Sequence, residues 1–334
     1  IFIASTSVLM LFTLFSLWIF SHINPFYLSN LYNWLFDFGI AEVTNMSYGF
    51  YRIFMQSQIY VSGLIVFLIS IFAYKFSYSK IKIKKITDKN KLFIALLIFS
   101  SVLTILSFSR SFWVGIITSF ISIFILLFII RDKKIKLFYS FFRTIILTTA
   151  SFLLAYGFIF IFTNFPPGSS SDFTSVLNKR LSNPTQEAAG SSRMNMLKPL
   201  YEAIKDNLLI GGGFGYKITY ESADPTNVAK NVGGMYTTYA LEWGYFDTLL
   251  KFGIFGFLIF IYFILALLYL SIKNINKIKN EDYRIVAFGL TLSFLFILVV
   301  NFFTPYLNHP LGIGFIIVYI TYLDKNILNK KIDF

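Results

Sequence analysis

The chain has 334 residues, of which 56% are hydrophobic and 13% charged, and its formal net charge is +13. A soluble domain carries about 25% charged residues, so this composition excludes an ordinary soluble protein and predicts one solvated by lipid. The lack of cysteine excludes disulfides and thiolate metal sites. The two histidines, His22 and His309, are too few for a His-rich metal site. We predict no metal and no cofactor.

Eight apolar segments have lengths suited to transmembrane helices, for which about 20 residues cross a hydrocarbon core of about 30 Å. They are roughly 1–20, 58–75, 92–108, 112–130, 138–162, 246–270, 285–303 and 310–323. The sequence thus predicts an all-α, polytopic transmembrane helix bundle, with residues 1–334 as one integral membrane domain. The first segment starts at Ile1 without the basic region and cleavage site of a signal peptide, so we expect further spans ahead of it.

Basic residues are divided unevenly between the two sets of loops. One set carries eighteen basic and six acidic residues, and lysine and arginine mark cytoplasmic loops. This set comprises 75–91, 131–136, 273–284 and 324–334. We therefore predict a multi-pass membrane protein whose 21–57 and 163–245 loops lie on the extracytoplasmic side. Because topology accounts for the net charge, we predict no nucleic-acid partner.

The 163–245 loop is too long for a passive connection, so we expect functional residues there. Within about 193–209, apolar residues recur at spacings of three and four, which predicts an amphipathic helix. Its apolar stripe comprises Met194, Leu197, Tyr201, Ile204 and Leu208. This helix could rest on the membrane surface or on other spans.

The start of this helix has a second interpretation. Ser191 or Ser192 would cap it, and Pro199 would either kink it or mark its true start. Arg193 would then lie in the first turn, where unpaired backbone N–H groups and the helix dipole already favour an anion. The alternative function of the helix is therefore anion binding.

Four glycines occur among residues 211–215, directly after the predicted helix. Glycine ends helices by adopting left-handed backbone angles, and it also lets a backbone approach a ligand closely. The first property predicts a structural turn, and the second predicts ligand contacts at Gly211, Gly213 and Gly215. The pattern matches neither GxGxxG between strands nor GxxxxGK[ST], which disfavours nucleotide binding.

Two carboxylates, Glu242 and Asp247, lie at or just above the outer interface, where the sixth span begins. Glu242 lies among Tyr239, Trp243 and Tyr245, which would partly remove it from water, so we predict it as a general base. Asp247 is either a solvated residue at the membrane interface or a substrate-binding residue.

The side that lacks a basic excess carries, among its arginines, Arg52, Arg110 and Arg193. Each could be an anchor that extends its charged end to the membrane surface. Arginine also binds phosphate oxygens through a bidentate fork and stays charged at any relevant pH. The three together predict an anionic, phosphate-bearing ligand at the outer leaflet.

Three segments resemble motifs of the bacterial O-antigen ligase and polysaccharide polymerase superfamily. Residues 192–215 contain its arginine, amphipathic helix and Gly-x-Gly turn. Ser109-Arg110-Ser111 is similar to its Ser-Arg-(Gly/Ser) turn, and 247–256 is similar to the start of its next span. The resemblance covers most of the chain in layout and is specific over about 110–115 and 190–256.

The resemblance implies a metal-independent glycosyltransferase of the GT-C type that takes an undecaprenyl-pyrophosphate-linked glycan at the outer leaflet of the bacterial cytoplasmic (inner) membrane, with its active site facing the periplasm or cell exterior. With a carboxylate as the base, we expect the enzyme to be inverting. The resemblance also implies more than eight spans. Ligases of this superfamily often have His-Asn where this chain has Glu242-Trp243, so a polymerase of O-antigen or capsule repeat units is favoured over a ligase that uses lipid A core. The expected partners are the lipid-linked glycan, membrane lipid, and a chain-length regulator and flippase of the same pathway.

The reaction expected from this resemblance predicts roles for individual residues; Arg110 and Arg193 match the family pattern, whereas Arg52 is chosen on its position alone. Arg110 and Arg193 would bind the donor pyrophosphate and stabilise its developing charge, with Arg52 helping to hold donor or acceptor. Glu242 would deprotonate the acceptor hydroxyl. His309 is a weaker base candidate, or a turn residue ahead of a span-opening proline. Candidates for stacking on sugars, or for the aromatic belt of the interface, are Tyr216, Tyr236, Tyr239 and Trp243.

The alternative function that is not enzymatic is that of a flippase or another anion transporter. It predicts charged residues deep within spans and two similar halves of the chain. The spans carry almost no charge apart from Arg143, and no internal repeat is evident. A peptidoglycan glycosyltransferase has a similar layout, but its distinctive motifs are not evident.

Overall fold

The computed structural model describes residues 2–46, 50–78, 88–130, 137–165, 175–176, 178, 188–223 and 234–324. Much of the predicted cytoplasmic loops lies outside these residues. The helices are α1 (Phe2–His22), α2 (Ser29–Asp37), α3 (Gln58–Tyr78), α4 (Asp88–Ser107), α5 (Arg110–Ile130), α6 (Leu137–Asn164), α7 (Ala188–Asp206), α8 (Gly244–Ile275), α9 (Glu281–Val300) and α10 (Pro310–Leu323). Two antiparallel hairpins pair β1 (Ala41–Asn45) with β2 (Tyr51–Met55), and β3 (Ile218–Glu221) with β4 (Met235–Thr238).

Six of these helices are long and apolar enough to cross a membrane, which confirms an all-α, polytopic membrane protein. They are α3, α4, α5, α6, α8 and α9. The first and last predicted spans correspond to shorter apolar helices over Thr6–His22 and Pro310–Leu323. An uninterrupted apolar run forms a helix in lipid because its backbone polar groups then pair within the segment.

The chain folds into two compact units. Unit 1 contains Ile1–Asn178 and Ile275–Phe296, and unit 2 contains Lys179–Asn274 and Ile297–Ile332. In unit 1, α3 packs against α4, α5 and α6, and α4 packs against α6. The 21–57 segment, predicted as a loop, contains α2 and the β1–β2 hairpin.

Alternate side chains attach the β1–β2 hairpin to the core of unit 1. Ala41 and Val43 of β1 and Ile53 and Met55 of β2 are buried in the core of unit 1. A strand that buries one face shows this period of two.

In unit 2, α7 packs against the β3–β4 hairpin and the segment that leads into α8. The shared core contains Met196, Leu200, Ile218, Leu241 and Leu250. The buried face of α7 is thus rotated by about a quarter of a turn from the predicted stripe, at 3.6 residues per turn. Of that stripe Ile204 is buried, whereas Met194, Tyr201 and Leu208 are exposed.

The start of α7 also differs from the prediction. The helix begins at Ala188, so Ser191 and Ser192 lie inside it and do not cap it. The Ser192 hydroxyl instead accepts a hydrogen bond from the backbone N–H of Ala223, at 2.9 Å. Pro199 lies inside the helix. Arg193 is consequently in the second turn. The prediction that Arg193 lies beside the unpaired N–H groups of the first turn, where they would help it to bind an anion, is therefore wrong.

Candidate active site

Arg193 and Glu242, which are 49 residues apart in sequence, form an ion pair in unit 2. The Arg193 Nε donates to the Glu242 Oε2, and the two side chains are 34% and 44% exposed. Arg193 comes from α7, and Glu242 from the short segment between β4 and α8. The structure therefore joins two of the three residues predicted as catalytic, at a position open to solvent and to a ligand.

Trp243 fixes the position of this pair through a contact with the backbone of Arg193. Its indole Nε1 donates to the backbone carbonyl of Arg193 at 3.0 Å. Its ring lies 6.3 Å from that of Phe303 and 6.4 Å from that of Phe246, measured between centroids. Since its N–H and ring are both engaged within the protein, Trp243 positions the Arg193–Glu242 pair.

The other aromatic candidates have different surroundings. Tyr236 packs edge-on against Tyr220 across the β3–β4 hairpin, with ring centroids 6.0 Å apart. Tyr216 lies over Gly212, where an added Cβ would meet its ring. Tyr239 is exposed, and it is the one of these tyrosines whose ring is most open to a sugar.

The 211–215 glycine segment packs against a break in α8. Gly253 has a φ of 65° and a ψ of −174° inside that helix, and Gly211 has a φ of 84°. A Cβ at Gly211 would lie 2.5 Å from the Gly253 nitrogen, and a Cβ at Gly253 would lie 2.4 Å from the Leu209 oxygen. The two backbones are in contact, so Gly211 fills a structural role and its Cβ face is closed to a ligand.

Backbone hydrogen bonds close the break in α8. The N–H groups of Gly212 and Gly213 donate to the carbonyls of Leu250 and Lys251, at 2.8 and 3.1 Å. The Ile254 N–H donates to the Leu208 carbonyl at 2.7 Å. Carbonyls that a broken helix would leave unpaired thus have partners. Gly213 and Gly215 have no atom near the position of an added Cβ, so they remain the candidates for close ligand approach.

Asp247 is fully buried, and the interpretation of it as a solvated interface residue is wrong. Its carboxylate lies 2.7 Å from the Lys251 Nζ, one helical turn along α8. The Asn308 side-chain amide donates to its Oδ2 at 2.7 Å and to the Thr248 hydroxyl at 3.1 Å. Buried charges persist when they are paired and hydrogen-bonded. The network therefore ties the start of α8 to the turn before α10.

Replacing Asn308 with alanine should lower the free energy of unfolding by about 1–3 kcal/mol, because the buried Asp247 carboxylate then loses a hydrogen-bond donor. Thermal unfolding of the purified protein in detergent measures this. In the control Asn164→Ala, the lost amide bonds only within α6, so the change should stay within about 0.5 kcal/mol. Equal stability of the two variants would contradict a structural role for the Asp247 network.

His309 caps α10. Its Nδ1 accepts the Leu311 N–H at 3.3 Å, and Pro310 is the first residue of the helix. This is the arrangement of a turn residue ahead of a span-opening proline, the second of the two interpretations of His309.

In unit 1, the structure brings Arg52 to the turn that carries Arg110. The Arg52 Nε donates to the backbone carbonyl of Ser107 at 2.6 Å. The turn is tight, with a φ of 48° at Phe108, and Arg110 is the first residue of α5. Arg52 thus supports the position of Arg110, an arrangement that neither residue's sequence context indicated.

The family model of the O-antigen ligases matches residues 95–261, which is half of the chain. The chain belongs to the O-antigen ligase family. No curated protein is significantly similar to it. Members of the family are glycosyltransferase-like membrane enzymes that act on lipid-linked glycans. The function is accordingly of the O-antigen ligase or polymerase type.

The match to the O-antigen ligase family covers α5, α7 and most of α8, and with them the Arg193–Glu242 pair and Arg110. Arg52 and His309 lie outside it. Sequence reasoning missed Lys251, Thr248 and Asn308. The spacing of four residues between Asp247 and Lys251 was a usable signal for an ion pair on one helix face, whereas Asn308 has no local signal.

Proposed function

We propose that this chain polymerises undecaprenyl-pyrophosphate-linked repeat units of O-antigen or capsule at the outer leaflet of the bacterial cytoplasmic membrane. The observation that carries the proposal is the partly exposed Arg193–Glu242 ion pair. A guanidinium and a carboxylate in contact supply, at one place, a binding group for pyrophosphate and a proton acceptor. Membership of the O-antigen ligase family supports a lipid-linked glycan as the substrate.

The reaction is a single displacement. The acceptor hydroxyl oxygen attacks the anomeric carbon of the donor and forms the new glycosidic bond. The bond between that carbon and the pyrophosphate oxygen breaks, and its electron pair leaves with undecaprenyl pyrophosphate. The hydroxyl proton passes to Glu242. Attack opposite the leaving group inverts the anomeric carbon.

Arg193 has two tasks in this scheme. In the free enzyme its Nε binds Glu242. An incoming pyrophosphate carries more negative charge than one carboxylate and competes for the guanidinium, which is held most strongly through bidentate contacts. Arg193 then stabilises the charge that grows on the leaving group, and Glu242 is released to accept the proton. Donor binding thereby prepares the base.

The proposed reaction needs no metal ion, because Arg193 provides the positive charge for the leaving pyrophosphate. Within the described part of the chain, no group of three or more His, Asp or Glu side chains is placed to hold a metal ion. We expect extension to proceed at an unchanged rate in a chelator such as EDTA.

We prefer the polymerase over the ligase because this chain has Glu242-Trp243 at the position where ligases of the superfamily that it resembles often have His-Asn. An assay with purified protein in proteoliposomes and a defined undecaprenyl-pyrophosphate repeat unit distinguishes the two. A polymerase produces a ladder of longer glycans without any lipid A core. Glycan transfer only after lipid A core is added would indicate a ligase. Movement of the lipid between leaflets without a new bond would indicate a flippase and overturn the proposal.

A further inference from the structure

A group of large apolar side chains is exposed where α7 gives way to the glycine segment. Residues 208–214, which we call the wedge, expose Leu208, Leu209, Ile210 and Phe214. Ile210 is 84% exposed, the highest value among the large apolar side chains that the structure describes as exposed. Clusters of this kind mark an interaction surface.

The wedge is fixed to the side of α8. Gly211 contacts Gly253, and the wedge backbone exchanges the hydrogen bonds that close the helix break. The Phe214 ring packs edge-on against Phe252, with centroids 5.1 Å apart. The exposed apolar surface then continues along α8 through Phe255 and Ile259. The wedge is thus a continuation of the surface that α8 presents to lipid.

The positions of the charged residues on α8 indicate how deep in the membrane the wedge lies. Residues 252–272 carry no charge and are bracketed by Lys251 and Lys273. At about 1.5 Å per residue they span about 31 Å, the thickness of a hydrocarbon core. The Lys251 ammonium bonds Asp247, toward the start of the helix. The hydrocarbon boundary on the predicted extracytoplasmic side therefore lies near Phe252, level with the wedge.

Three backbone N–H groups of the wedge are paired, as a position at the hydrocarbon boundary requires. Irregular backbone at the hydrocarbon boundary is tolerated only where its polar groups are paired. The N–H groups of Gly211, Gly212 and Gly213 donate to carbonyls of Asn207, Leu250 and Lys251, at 2.9, 2.8 and 3.1 Å. The segment can therefore contact lipid without exposing these three donors.

A stripe on α7 extends the same surface. Met194 and Tyr201 are exposed, and they share a helix face with Leu208 at the start of the wedge. A helix that buries one face in protein and exposes apolar residues on another is suited to lie on a membrane surface.

We propose that the wedge is inserted among the acyl chains of outer-leaflet lipid and, together with the stripe on α7, anchors the loop that carries Arg193 to the membrane surface. Lipid is the occupant because the wedge is continuous with the lipid-facing side of α8 and level with its outer boundary. This anchoring is independent of the proposed reaction. It gives the 188–223 segment a membrane-contact function in addition to any catalytic one.

The chain has no cysteine, so each single-cysteine variant takes one nitroxide label. We would label Ile210→Cys and Phe214→Cys in the wedge, Ile259→Cys as the lipid reference on α8, and Lys217→Cys as the exposed polar reference. In lipid nanodiscs, collision of each label is measured with oxygen, which concentrates in lipid, and with a water-soluble nickel chelate.

Both wedge labels should behave like Ile259→Cys, with collision rates several-fold higher for oxygen than for the nickel chelate, while Lys217→Cys shows the reverse. Wedge labels as accessible to nickel as Lys217→Cys would overturn the proposal. So would labels shielded from both reagents, because protein and not lipid would then cover the wedge. If one wedge variant does not fold, the other decides the result on its own.

Discussion

Replacing Arg193 with alanine should slow glycan extension by about 10²- to 10³-fold, the usual effect of removing one group that stabilises developing charge. The variant loses the guanidinium that we propose binds the leaving pyrophosphate, and Glu242 loses its partner. Arg193→Lys keeps the charge without the planar fork and should retain intermediate activity. The rate is measured as the appearance of extended glycan from a defined lipid-linked repeat unit.

The matched control is Lys198→Ala, which removes an exposed basic residue from the same helix and should leave the rate unchanged. Glu242→Gln removes the proposed proton acceptor and should reduce the rate by about 10²- to 10⁴-fold. Because the two residues act as a unit, the double variant should be about as slow as the slower single variant. Independent, multiplicative losses would contradict a shared catalytic role.

Gly211→Ala and Gly253→Ala should each lower the free energy of unfolding by at least about 3 kcal/mol, since each places a Cβ into backbone atoms at a residue with positive φ. The Cβ positions lie within 2.5 Å of backbone atoms across the contact between the wedge and α8. Backbone atoms cannot move aside as a flexible side chain can. Thermal unfolding in detergent and the amount of protein in the membrane measure the loss.

Gly157→Ala in α6 is the control, because nothing lies within 4 Å of its added Cβ and its backbone is helical. Alanine there should be neutral or stabilise the helix by up to about 1 kcal/mol. If Gly211→Ala and Gly253→Ala were as stable as Gly157→Ala, the contact between the glycine segment and the α8 break would be absent from the folded protein.

Hydropathy was sufficient to predict the fold class, because in lipid an apolar run of about 20 residues pairs its own backbone groups as a helix. It did not predict the break at Gly253. That break depends on hydrogen bonds from Gly212 and Gly213, some 40 residues earlier in the chain. Local patterns carry no information about such distant backbone partners.

The candidate site was predicted by residue type but not by geometry. Arg193 and Glu242 were both chosen from the sequence, yet their ion pair was not foreseen, because it depends on how α7 packs against the segment before α8. The periodicity of α7 selected its exposed apolar stripe in place of its buried face. The helix has apolar residues on both faces, and only the hairpin that packs on it decides which face is buried.

The central claim is that the Arg193–Glu242 pair transfers a glycan from a pyrophosphate-linked donor. It is tested most directly by measuring the release of undecaprenyl pyrophosphate by purified wild-type protein and by Glu242→Gln, in EDTA, with donor and acceptor repeat units present. We predict that the wild type releases one undecaprenyl pyrophosphate for each new glycosidic bond and that Glu242→Gln releases almost none. Release by Glu242→Gln at the wild-type rate would contradict the account.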